Sequence, residues 1–485
     1  MNIPATTSGA FLHVRPGANT LARADGLPFF WLGDTAWLIN VKLDRTDMLA
    51  YLDDRANRGF TVIQVMGLHS AGVTNAHGNP AFPAGIAAGL ATALASGHLD
   101  PPGSRAGEGY WETLDFLFAA AADRGLYIAL VPVWGTVVQE GHFTPETARI
   151  YASLLAARYR RFANLIWLNG GDIRGSDHRE VWEAIGATLR ERCPDHPMTF
   201  HPFGRTRSAT WFHQASWLDF NMFQSGHRDY RQRTPETEVP GEDVWHGEDN
   251  WRYVLDDLAL TPAKPTLDGE PSYEDIPHGL HDTSQPLWND ADCRRYAWWA
   301  LLAGAFGHTY GHNSVMQFQR SGEPVGAYGA TRDWRDCLSD PGAVQMGHVR
   351  TFMAAFGNRP FRQRPDLLAG PAGEAYERRL AAEADPVYLF YSYSGGTIIV
   401  SSLVPVGTCR SWWFDPRTGA VHPAAADNRD KAGSPDSGKP GKFHSFTAPG
   451  PASAGNDWLL VNDPASLTPA FDQQIREAGS WRDGR

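Results

Sequence analysis

The chain has 485 residues, 42% of them hydrophobic, and a formal net charge of −11 at pH 7. That length suits a large domain followed by a smaller one, with ample apolar material for a core. An acidic balance without a basic stripe argues against nucleic acid and anionic membranes as partners, and no stretch nears the roughly 18 apolar residues needed to span a bilayer.

In chain order, Met1 to Arg15 lacks a basic region followed by an apolar run. No secretion signal is read there, so the expected compartment is the cytoplasm. A strand-then-helix grammar runs from about Phe29 to Phe356. The first strand is expected at 29–33, and its helix starts near Thr46 as N-cap and stops at Gly59. The second strand is 61–66. Residues 69–110 are rich in Gly, Ala, Pro and His without a strong period, and a connection that long usually carries function. It follows a strand, so it is expected to border the site and help choose the substrate. A helix begins near Trp111, and the third strand is 127–133. Thr144-Pro145-Glu146 opens the next helix, with Thr as cap, Pro at the first position and an acid in the first turn. Strand four, 165–168, is apolar throughout, as suits a parallel strand covered on both faces. A helix spans about 178–193. Strands five to eight are read at 198–201, 220–223, 265–269 and 307–310, with helices at about 291–305 and 344–356. Eight such repeats fit a (β/α)₈ TIM barrel with insertions, residues 1–362. No Gly-rich phosphate turn follows strand one, as an open doubly wound sheet would usually show.

After Arg362 the pattern becomes all-β. Ser394-Gly395-Gly396 lies between two apolar runs and signals a hairpin. Trp412-Trp413-Phe414 precedes the turn at Asp415-Pro416, residues 427–442 read as a loop, and 457–461 as a last strand. Residues 363–485 are therefore expected to form a small C-terminal β-sandwich that packs on the barrel and does no chemistry. Cys193, Cys293, Cys337 and Cys409 show neither CxxC nor zinc spacing and read as free thiols of a reducing compartment. Most of the 18 Trp belong in the core, and the rest can stack on sugar faces.

In a (β/α)₈ barrel the chemistry sits at the C-terminal ends of the strands. That rule selects Asp34, His69, Trp134, Asn169, Asp172, His201, Gln224, Glu270 and His312 with its neighbour Asn313, and Trp37 and Tyr273 are further candidates to bind substrate. Asp172 follows strand four and Glu270 follows strand seven, on facing sides of a barrel. Two acids so placed can flank one glycosidic bond, one protonated and one ionised. By position alone the pair could equally anchor loops. Asp268, two residues before Glu270 and on the same strand face, is the nearest decoy. Asp34 reads either as a partner of a substrate hydroxyl or as a turn cap. His69, His201 and His312 read either as donors to sugar hydroxyls or as structural histidines. They match no HxH or HExxH spacing, so neither a metal nor another cofactor is expected. No G-x-S-x-G elbow or Walker A sequence appears.

At these residues the chain resembles the apiosidase-like glycoside hydrolases. The resemblance runs through Ala24-Asp25-Gly26-Leu27-Pro28-Phe29-Phe30-Trp31-Leu32-Gly33-Asp34-Thr35-Ala36-Trp37, Arg58-Gly59-Phe60-Thr61-Val62-Ile63-Gln64 and Trp167-Leu168-Asn169-Gly170-Gly171-Asp172. It continues in Asp268-Gly269-Glu270-Pro271 and Tyr310-Gly311-His312-Asn313. Trp413-Phe414-Asp415-Pro416-Arg417-Thr418-Gly419 is similar to the small β-domain that accompanies this barrel and carries a collagen-binding label in some relatives. The resemblance implies Asp172 as acid/base, Glu270 as nucleophile, and exo-acting release of a pentofuranose from a plant glycoside with retention. Known members release apiose. The carboxyls are then expected about 5–5.5 Å apart. A different glycosidase on the same scaffold, such as an arabinofuranosidase, and a carbohydrate-binding barrel without turnover are the other readings. The expected partner is a carbohydrate or glycoside, and the oligomeric state is left open.

Overall fold

A computed structural model describes residues 11–464 except 16, 98, 100–106, 233–244 and 427–442. Its centre is eight parallel strands: β1 (Trp31–Thr35), β2 (Val62–Met66), β3 (Tyr127–Val131), β4 (Leu165–Ile173), β5 (Met198–Pro202), β6 (Asn221–Gln224), β7 (Thr266–Asp268) and β8 (Gly307–Tyr310). Their hydrogen-bonded order is β5-β4-β3-β2-β1-β8-β7-β6, with a short antiparallel strand, Thr206–Arg207, beside β6. Other bonds bridge the seam between β5 and β6. The Thr199 hydroxyl donates to the Phe220 carbonyl at 2.6 Å, and the Asp219 amide donates to the Met198 carbonyl at 2.8 Å. The sheet thus closes as the expected barrel.

Side chains alternate between the barrel interior and the helical shell. Trp31, Val62, Met66, Ile166, Leu168, Met222 and Leu267 pack inside, whereas Ile63, Val65, Ile128, Trp167 and Phe200 pack outward. Leu21 and Phe29, from a small antiparallel sheet ahead of β1, and Leu12, just before that sheet, join the interior cluster.

Several expected boundaries move. The first barrel strand starts two residues late, at Trp31, because Pro28–Phe29 pairs in that small sheet. The first long helix, Arg45–Asn57, is capped by Asp44 and not Thr46; the Asp44 carboxylate accepts the Asp47 amide at 2.9 Å. The Thr144 cap holds, with its hydroxyl accepting the Thr147 amide at 3.2 Å. Residues 69–110 contain a helix, Ile86–Ser96, that the weak period hid. Among the described residues no helix is long and apolar enough to cross a membrane.

The C-terminal domain has a six-stranded antiparallel sheet and a two-stranded one. The first comprises β9 (Arg362–Gln363), β10 (Arg379–Ala384), β11 (Val387–Ser392), β13 (Cys409–Phe414), β14 (Val421–Pro423) and β16 (Trp458–Pro464). The second pairs β12 (Thr397–Val400) with β15 (His444–Thr447). Ser394-Gly395-Gly396 therefore does not close a hairpin. With φ of +66° and +75°, the two glycines turn the chain from one sheet into the other. The expected loop at 427–442 lies outside the described residues. Alternation explains how the large sheet is buried on both faces. Leu389, Tyr391, Trp412, Phe414, Leu459 and Val461 face the barrel helices Asp290–Ala303 and Pro341–Ala355, whereas Phe390, Trp413 and Leu460 face the small sheet. An ion pair crosses the same seam: Arg294 Nη2 lies 2.7 Å from Asp457 Oδ1, both buried.

Candidate active site

The chain reaches Asp172 through an unusual backbone. Gly170, Gly171 and Asp172 all have positive φ, at +89°, +120° and +49°, and the β4–β5 register shifts between Gly170 and Ile173. A Cβ on Gly171 would stand 2.7 Å from the Trp134 ring, and one on Gly170 would stand 2.6 Å from Phe200. Only glycine fits both places. A non-glycine residue held at φ +49° is a local strain of the kind that clusters at functional sites. The kink leaves Asp172 exposed at the mouth between two buried residues.

Glu270 is fixed from several directions. A Cβ on Gly269 would meet Met222 Sδ at 2.4 Å, so any side chain there would push that buried methionine aside. The Gln64 amide donates to the Gly269 carbonyl at 2.8 Å, and the Gly226 amide donates to the Glu270 carbonyl at 3.2 Å. The Glu270 carboxylate lies between two imidazoles. His227 Nε2 is 3.1 Å from Oε1, and His201 Nε2 is 3.1 Å from Oε2, with its N–H off the direct line. Backbone amides decide the tautomers. His227 Nδ1 accepts from Tyr273 at 3.4 Å and His201 Nδ1 accepts from Asp172 at 3.3 Å, so each ring carries its proton on Nε2, toward Glu270.

The two acids are tuned apart. Although its side chain opens to solvent on one side, desolvation by the packed walls of the barrel mouth, then the charge of Glu270, pushes the Asp172 carboxyl up to about 6. Burial works the same way on Glu270, but the His201 and His227 imidazoles beside it outweigh it and hold that carboxyl at about 2. Between these values one acid keeps its proton while the other is charged, the combination that acid-assisted nucleophilic displacement requires.

Trp37, Trp134 and His201 form a ring cluster with centroids 5.2–5.7 Å apart, and the half-buried Trp134 leaves a ring available to a sugar face. Gln224 stands close enough to Asp172 to favour its charged form. The Tyr273 ring meets His227 edge-on at 4.8 Å, and its hydroxyl bonds Thr35 at 3.2 Å. His69 is half-buried in the loop after β2. These expected residues gather around Asp172 and Glu270 or stand at the same end of the barrel.

Five others turn away. Asp34 lies inside β1 and faces the shell, where Tyr51 and Arg55 donate to Oδ2 at 2.6 Å each. Asn169 also faces out, donating to the Trp182 carbonyl at 2.9 Å. The strand ends at Asp268, so Asp268 does not share the face of Glu270; it accepts from Ser225 Oγ at 2.6 Å and Asn250 Nδ2 at 3.0 Å. His312 accepts the Ser314 amide on Nδ1, and its Nε2 lies 2.8 Å from Asp340. Asn313 is likewise structural, donating to the Asp275 and Tyr328 carbonyls at 3.0 Å each. One atom each of His312, Cys337 and Asp340 lie within 4.8 Å of one another. Arg332 also grips Asp340 and the His312 ring is engaged on both nitrogens, so the trio is knit together by its own bonds.

The sequence reading missed His227, in a stretch that showed no regular element. Applying the strand-end rule three residues past Gln224 would have found it. It also missed Arg174 and Arg205, whose guanidinium groups lie 4.5 and 5.8 Å from the Phe203 ring. Arg205 has φ +66°, and its buried Nε has no hydrogen-bond partner among the described residues. Burial, then Arg228, lowers its pKa to about 10, and Asp172 lies within reach of its charge.

The chain matches the family described as "Apiosidase-like, catalytic domain" over residues 16–358, and that described as "Putative collagen-binding domain of a collagenase" over 364–463. No curated protein matches it. A solved structure named "Glycoside hydrolase" shares 39% identity over 94% of this chain and 97% of its own, with a TM-score of 0.83. A glycoside hydrolase family 5 protein from Bacteroides vulgatus ATCC 8482 shares 37% identity over 94% of each chain, also with a TM-score of 0.83. A second protein from that organism is alike in fold alone, at 14% identity and a TM-score of 0.61 over 95% of this chain and 84% of its own.

Proposed function

The chain belongs to the apiosidase-like family of glycoside hydrolases, and from that premise we propose that it is an exo-acting glycosidase releasing a pentofuranose, apiose in the family's known members, from a plant glycoside with retention. Glu270 attacks the anomeric carbon while Asp172 gives its proton to the departing oxygen. The sugar is then esterified to Glu270. Asp172, now ionised, takes a proton from water as that water attacks the same carbon, and Glu270 leaves as carboxylate. The observation that carries this reading is the opposed tuning of two acids that share His201, one near 6 and one near 2. The ring cluster of Trp37 and Trp134 supplies a surface for the sugar. Arg174 and Arg205, around Phe203 and near Asp172, favour a leaving group that carries negative charge.

The complete acid pair speaks against a binding barrel without turnover. An arabinofuranosidase would use the same acids, and the identity of the released sugar separates the two. The test is incubation with a panel of plant glycosides and aryl glycosides, followed by identification of the free monosaccharide. Apiose is expected. Arabinose would redirect the substrate reading, and no release from any member would overturn the enzyme reading.

A further inference from the structure

The seam between the two domains contains a buried carboxylate that the chemistry above does not use. Glu248 is fully buried, and three donors converge on it. The Tyr376 hydroxyl donates to Oε1 at 2.6 Å, the Tyr230 amide donates to Oε1 at 3.2 Å, and Arg295 Nη2 donates to Oε2 at 2.5 Å. Each donor comes from a different part of the molecule. Tyr376 lies in the C-terminal domain between β9 and β10, Arg295 lies on the barrel helix Asp290–Ala303, and Tyr230 follows His227 by three residues.

Arg295 is itself held tightly. Its guanidinium lies 4.7 Å from the Tyr296 ring, 4.9 Å from Trp299, 5.0 Å from Tyr376 and 5.3 Å from Tyr393, the last two from the C-terminal domain. A cation buried among four rings is oriented by their faces and by the carboxylates it meets. Glu248 therefore has a fixed seat, and the Tyr230 amide is fixed by Glu248. The segment carrying His227 is pinned on its other side as well. The Ser272 hydroxyl donates to the Gly226 carbonyl at 2.7 Å, and the Gly279 amide donates to the His227 carbonyl at 2.7 Å.

We propose that Glu248 and Tyr376 form a positioning unit through which the C-terminal domain orients His227 against Glu270. The β-domain is then a working part of the active site, and its label as a binding module does not describe this contribution. The catalytic half of the proposal rests on the reading of Glu270 as nucleophile; the orientation of His227 does not.

The experiment uses the full chain labelled with ¹⁵N-histidine, as wild type, Tyr376→Phe and Glu248→Gln. Tyr376→Phe removes one hydroxyl and keeps the ring beside Arg295, so it guards against a Glu248→Gln protein that fails to fold. His227→Gln identifies the His227 signals. The expected result is that wild-type His227 shows the Nε2–H tautomer, and that both variants, by letting the ring shift off the Tyr273 amide and Glu270, move its ring-nitrogen signals toward tautomer-averaged values while His201 stays in place. kcat/KM on an aryl glycoside should fall about tenfold in Glu248→Gln and less in Tyr376→Phe, as expected when a group beside the reacting carboxylate is displaced by a fraction of an ångström. Unmoved His227 signals, His201 and His227 shifting together, or a His227 shift without loss of kcat/KM would each overturn the proposal. Glu270→Gln, measured alongside, reports separately on the nucleophile. If that variant stays active the reading of Glu270 falls, while the NMR result on His227 still stands.

Discussion

His227 Nε2 lies 3.1 Å from Glu270 Oε1, and the Tyr273 amide on Nδ1 settles which nitrogen carries the proton. Without this imidazole, burial would act on Glu270 with less opposition. His227→Ala should therefore raise the Glu270 pKa from about 2 toward or above its ordinary 4.5. In kcat/KM between pH 3 and 6, the wild type should show no acid limb and the variant should show one near pH 4 to 5, roughly the range of an unaided carboxyl. A flat acid side in His227→Ala would mean that His201 alone holds the charge.

The wild type should work best on the acidic side of neutrality. On the proposed mechanism Asp172 must be protonated for the first step, and its pKa is about 6. Activity should decline above that value, by about tenfold per pH unit once well past it. The check is kcat/KM from pH 4 to 9 on a glycoside with a poor leaving group. A plateau reaching pH 8 would remove Asp172 from the role of acid.

The same shift predicts a stability cost. Asp172 has a raised folded-state pKa, so its favourable contribution is complete below its ordinary 3.8 and is lost as pH rises through about 6. Asp172→Asn should then stabilise the protein at pH 8, by only ~1 kcal/mol because the side chain is open to solvent. The gain should vanish at pH 3.5, apart from any pH-independent benefit of Asn in a left-handed conformation. Thermal unfolding of both proteins at the two pH values decides it; an equal gain at both would leave backbone strain as the whole effect.

How far these residues were legible in the sequence depends on strand parity. The alternation of strands and helices, the Gly-Gly-Asp kink and the Glu270 turn all carry local signals, and the barrel rule converts them into a site. Asp34, Asn169 and Asp268 were misplaced because parallel strands covered on both faces read as unbroken apolar runs. Such runs do not say which residues point inward, and a two-residue change in where β1 starts is enough to alter the reading of Asp34 from strand end to strand interior. His312 looked like a donor to a sugar hydroxyl because a capping histidine and a substrate-binding one share the same position in sequence. The pairing of β12 with β15 rather than β11 depends on contacts distant along the chain, which a glycine turn cannot announce. Glu248 and Tyr376 were invisible for the same reason: 128 residues separate them.

Arg205 offers a test of the leaving-group side. If its guanidinium meets an anionic leaving group, Arg205→Ala should lose about tenfold or more in kcat/KM on a glycoside with an acidic aglycone and little on its neutral counterpart, roughly one charge-assisted hydrogen bond. The wild-type preference for the acidic substrate should weaken as salt rises. Equal losses on both substrates would assign Arg205 to holding the loop at Phe203.

The most direct measurement is kcat/KM for Glu270→Gln and Asp172→Asn, each on a natural glycoside and on an aryl glycoside with a good leaving group. The account predicts that Glu270→Gln is inactive on both. It predicts that Asp172→Asn loses on the order of a hundredfold or more on the natural substrate and far less on the aryl one, with its alkaline limb flattened, because a good leaving group needs little protonation. Equal losses for Asp172→Asn on both substrates together with residual aryl activity in Glu270→Gln would reverse the two roles, and full activity in either variant would contradict the assignment of this site.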